Sequence, residues 1–70
     1  MAGEIKSAAQ ATEIATSFLE KYYFFLRPIS AVREDAIWVV KVDVGAILKA
    51  IAEVKIDALT ADVIGYSLPE

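Results

Sequence analysis

The stretch EVKIDALTADVI, residues 53–64, decides the fold. Val54 and Ile56 alternate with Glu53, Lys55 and Asp57, the period-two signature of a strand with one buried and one solvated face. Ala58-Leu59-Thr60-Ala61 breaks the alternation, and Val63, Ile64, Tyr66 and Leu68 resume it as a last strand. Aspartate and threonine suit the break because their side chains bond to nearby backbone amides. A strand, a turn and a second strand are therefore expected, with Gly65 marking a bulge.

Working backwards, residues 37–44 form the most strand-like segment, rich in β-branched residues and carrying the one tryptophan. Alternation places Trp38, Val40, Val42 and Val44 on one face and Ile37, Val39, Lys41 and Asp43 on the other. Arg33-Glu34-Asp35 reads as a solvated hairpin tip. Residues 29–32 read as a short first strand, confined to a sheet edge by Pro28. Residues 45–50 fit either a short helical turn or a hairpin connection, and the meander that the second choice gives is preferred.

The N-terminal third has a different period. Ala11, Ile14, Ala15, Phe18, Tyr22 and Phe25 recur every three to four residues, which predicts an amphipathic helix over 7–26. Ser7 and Gln10 match a capping box, and Pro28 disfavours helical geometry at Arg27. Residues 1–6 are expected to be disordered. The fold class is α+β: one N-terminal helix packed on a three- to four-stranded antiparallel meander within a single domain, with strands spread over 29–68.

Trp38-Val-Val-Lys-Val-Asp43 and Val54-Lys-Ile-Asp57-Ala-Leu-Thr60-Ala-Asp-Val63 together resemble the PepSY domain, in a match that spans about Ser7 to Leu68. The resemblance implies a helix on a curved antiparallel sheet, similar to the cystatin arrangement, and a role in binding or inhibiting peptidases. Ala61 stands where that family has a turn glycine, which would relieve a left-handed backbone. No inhibitory contact residue carries over, because the matching positions read as structural.

Composition narrows the function classes. The chain has 70 residues, no cysteine and no histidine. Disulfides and the usual zinc ligands are therefore excluded as staples, and a serine or threonine nucleophile has no histidine to activate it. Asp57, Thr60 and Asp62 place three oxygen ligands in one turn, but an EF-hand needs more acidic positions and a central glycine. No catalytic residue, metal site or cofactor is expected. Seven basic against ten acidic residues, scattered along the sequence, give no basic stripe, so neither nucleic acid nor a membrane is expected as a partner. The N-terminus lacks a basic segment followed by an apolar run, which predicts a cytoplasmic protein. Missing asparagine and a single glutamine hint at a thermophile.

The hydrophobic fraction, 57%, is high for so small a domain. One helix covers one face of a sheet. Ile37, Val39, Ile51 and Val63 are candidates for the other face, and Tyr23 and Phe24 for the outer helix end. The expected function is a non-catalytic interaction module whose partner is a second copy of itself (a homodimer) or another protein. The alternatives are a peptidase-inhibitor-like module, an accessory subunit, or a small-ligand carrier with a cavity lined by Trp38, Tyr22, Phe18 and Tyr66.

Overall fold

A computed structural model describes residues 4–69 of the chain. The element order is α1 (Ala8–Leu19), β1 (Arg27–Glu34), β2 (Ile37–Asp43), β3 (Ile51–Asp57) and β4 (Val63–Ser67). The strands form one antiparallel sheet in the order β1-β2-β3-β4. This is the α+β meander expected from the alternation, with the helix across one face.

The helix starts where the cap places it. Ser7 Oγ accepts from the Gln10 amide at 3.2 Å, and Gln10 Oε1 accepts from the Lys6 amide at 2.7 Å. The reciprocal bond thus lands one residue earlier than in the standard box. Ala11, Ala15 and Leu19 form the buried stripe. Two alanines at its centre let the helix axis approach Val40, Val42, Ala52 and Val54, all fully buried.

The helix ends at Leu19, not at residue 26. The amides of Tyr22 and Tyr23 both donate to the Leu19 carbonyl, which tightens and closes the last turn. Length rules out the longer helix. Twelve residues of helix span about 18 Å, whereas a seven-residue strand spans about 23 Å. A helix to residue 26 would overrun the sheet and leave no chain to return to β1.

The expected disorder of residues 1–6 is also corrected where it can be seen. Residues 1–3 lie outside the described residues. Ile5, however, is 2% exposed, and its amide donates to the Ala58 carbonyl at 2.7 Å. Ala58 in turn donates to the Ala36 carbonyl at 2.8 Å. One buried alanine thus ties the chain start and the β1–β2 hairpin to the end of β3.

β1 is longer than the four residues expected. Its register with β2 shifts between Pro28 and Ser30, so Ile29 is the extra residue of a bulge. Proline has no amide to give the ladder, and the bulge on this edge strand accommodates it. Residues 44–50 are not helical. Val44 donates to the Ala50 carbonyl at 2.8 Å, which closes the β2–β3 connection as a loop of the meander.

Candidate functional site

Register sorts the side chains onto two faces. Trp38, Val40 and Val42 pair with Ile56, Val54 and Ala52, and all six lie under the helix. Phe18 packs between Tyr22 and Tyr66, with ring centroids 5.7 and 5.0 Å away. Three of the four aromatic rings expected to line a carrier cavity thus pack in one cluster centred on Phe18. Trp38 Nε1 is buried without a hydrogen-bond partner.

The opposite face has no helix. It carries Val32, Ile37, Val39 and Ile51 among Glu34, Lys41, Glu53, Lys55 and Asp57. Lys41 sits directly opposite Glu53. Ile37 and Val39 are half-buried between their cross-strand neighbours, while Val32 and Ile51 are exposed. At one end of this face lies an open depression of about 470 Å³ lined by Ile29, Lys41, Lys49, Ile51, Glu53 and Ser67.

The six residues expected at an interface therefore fall in three places. Ile37, Val39 and Ile51 share the uncovered face. Phe24 is 99% exposed in the α1–β1 connection. Tyr23 and Val63 are half-buried against the core. Val63 changes side because the β3–β4 register shifts between Lys55 and Ile56, which sets it opposite Ile56 on the helix side. One extra residue inverts every later side chain. Alternation alone could not show it; the isolated Gly65 was the available signal, and the irregularity lies at the paired step.

Both sheet edges are poor templates for another strand. β1 carries the bulge and Pro28, and β4 has five residues and its own irregularity. Such edges resist strand addition. The uncovered face is the larger opportunity.

The turns carry the remaining polar chemistry. Asp57 Oδ1 accepts from the amides of Leu59 and Thr60 at 2.8 and 3.3 Å, and Thr60 Oγ1 accepts from the Asp62 amide at 3.4 Å. The cluster is an Asx turn whose Asp57 carboxylate already caps backbone. Ala61 holds φ +66°, so the left-handed position is kept without glycine. Asp43 is 6% exposed although its register places it on the uncovered face. The 44–50 loop folds against it, and its Oδ1 accepts from the Gly45 and Ala50 amides at 3.0 and 3.2 Å. These bonds hold its pKa below the ordinary carboxylate value. Burial opposes them, and the Arg27 and Lys49 charges assist. The sequence reading had missed this role; an aspartate ending a strand just before glycine was the signal.

Among the described residues, no three histidine, cysteine, aspartate or glutamate side chains gather as a metal-binding group. None of the described helices is long and apolar enough to cross a membrane. Comparison with protein-family models, curated proteins and solved structures finds no match to this chain.

Proposed function

We propose that the chain is a non-catalytic interaction module that associates with a second copy of itself through the uncovered sheet face. The observation that carries this reading is the cross-strand apolar pair Val32 and Val39 on a face without a helix, with Ile51 further along the same face opposite Asp43. The charges around it are of mixed sign, so the face can oppose itself without net repulsion. The resemblance to PepSY domains is part of the same proposal, since it too implies binding rather than catalysis.

Size sets the strength. Strands of seven residues, four across, present roughly 400 Å² of sheet. Stable complexes use about 800 Å² per partner. The association is therefore weak and concentration-dependent. Sedimentation from low to high micromolar concentration tests it. A rising weight-average mass that Val32→Glu abolishes supports the proposal. A monomer throughout, or a dimer indifferent to Val32→Glu, refutes it.

A further inference from the structure

The 44–50 loop does more than join β2 to β3. Asp43 lies on the uncovered face by register, yet it is 6% exposed. The loop covers it there, and both amides that bond its carboxylate, Gly45 and Ala50, come from the loop. The loop therefore stands above the face at that end. Gly45 keeps it compact, since a Cβ there would collide with the Leu48 carbonyl. At its crest Ile47 and Leu48 are 95% and 80% exposed. A loop held in this way presents apolar side chains without a large ordering cost on binding. Next to this ridge lies the depression of about 470 Å³, lined by Ile29, Ile51, Lys41 and Glu53 among others. Further along the register come the Val32–Val39 pair and then Ile37.

A ridge beside a hollow restricts how two copies can stack. A two-fold axis brings the same patch of each copy together, and stacked sheets approach to about 10 Å. An axis along the strands would put both loops at the same end. Because β2 and β3 are the central strands, the two ridges would then meet near the axis and hold the faces apart. An axis across the strands sends the two loops to opposite ends. Charge does not choose between these arrangements. Lys41, Lys49 and Glu53 at one end of the face, and Glu34, Lys55 and Asp57 at the other, are of mixed sign.

We infer that the two copies run antiparallel, about an axis across the strands between Val39 and Lys41. The arrangement rests on the self-association proposed above and carries its contact beyond the flat face. Six residues of β2 separate Ile37 from Asp43, so this axis lays the ridge over Asp43 onto the partner's Ile37. Ile47 and Leu48 cover it there. The Val32–Val39 pair closes over the depression of the second copy, against the partner's Ile29 and the aliphatic stem of the partner's Lys41. Lys55 comes opposite the partner's Glu53. The flat face offers roughly 400 Å², about half of what a stable complex uses on each side. The ridge and the hollow supply further area, so the strength of association depends on the loop as well as on the strands.

Methyl NMR on mixed copies of the full chain tests the arrangement. The chain has no cysteine, so Ala46→Cys carries a single nitroxide on the exposed part of the loop. Spin-labelled copies without isotope are mixed with methyl-labelled copies, so all broadening crosses between chains. The Ile37 methyl signals are expected to broaden most, and those of Ile47, Leu48 and Ile51 least. Broadening centred on Ile47 and Leu48 would put both loops at one end and overturn the inference. In sedimentation, the combined Ile47→Ser and Leu48→Ser variant should weaken self-association about tenfold or more. Both side chains are exposed, so its circular dichroism should stay native. Association indifferent to this variant would overturn the part given to the loop. An unbroadened Ile37, in a chain whose mass rises with concentration and whose association Val32→Glu abolishes, overturns the inference and leaves self-association standing. A monomer throughout removes both.

Discussion

Ala61→Gly should make this domain more stable. Ala61 sits at φ +66° in the turn between β3 and β4. A left-handed conformation costs a side-chain-bearing residue about 1–2 kcal/mol. Glycine removes that cost but brings a more flexible unfolded chain, which takes back about 0.4–1 kcal/mol. The hydrogen bonds of the turn are untouched: the Ala61 amide donates to the Asp57 carbonyl and the Asp57 amide to the Asp62 carbonyl, both at 2.8 Å. The difference is a net gain of about 0–1.6 kcal/mol with its middle at about 0.8 kcal/mol, which in a domain of this size raises Tm by about 3–6 °C. Thermal and urea unfolding followed by circular dichroism measure it. Ala61→Val is the matched control and should destabilise, because a β-branched residue tolerates this region worst. A glycine variant no more stable than the parent, with a native spectrum, would refute the reasoning about strain in this turn.

Three further outcomes follow from the other turns and from the chain start. Asp43 has its pKa lowered by the Gly45 and Ala50 amides, so its contribution to stability is complete above the unfolded carboxylate pKa, near about 4. It is lost as pH falls through the lower folded value; Asp43→Asn should flatten that acid limb in a series of urea titrations, and an unchanged limb would exclude the mechanism. Gly45→Ala should destabilise by about 1–3 kcal/mol, since the new Cβ meets the Leu48 carbonyl and the loop must shift; urea midpoints decide this, and a neutral result would mean the loop adapts freely. Ile5→Ala should cost about 2–5 kcal/mol, as expected for a fully buried aliphatic side chain, whereas a disordered chain start would leave the urea midpoint unmoved.

Much of the architecture was legible in the sequence. The period-two runs around Val40 and Val54 gave β2 and β3, the capping box at Ser7 gave the helix start, and the Asp57–Asp62 segment gave its turn. What escaped were features set by tertiary geometry. The aromatic run 22–25 continues the helical period, so nothing local marks the closing of the last turn on the Leu19 carbonyl. Ile5 is one apolar residue between two charged ones, too short for any periodic signal, and its burial depends on Ala58 far along the chain. Val63 lies on the helix side because the register shift leaves Ile64 as the extra residue, and Gly65 marks the bulge without showing on which side of it the alternation inverts. The candidate site divided in the same way. Ile37, Val39 and Ile51 follow from alternation alone, whereas the hold of Asp43 on the 44–50 loop depends on the Ala50 amide seven residues away.

The account turns on the uncovered sheet face as the place where two copies meet. Methyl-resolved NMR across a concentration series tests that most directly. The account predicts progressive shifts of the Val32, Val39 and Ile51 methyl groups, with Val40 and Val54 under the helix unmoved. Concentration-independent spectra, or shifts confined to Ile47 and Leu48, would contradict it.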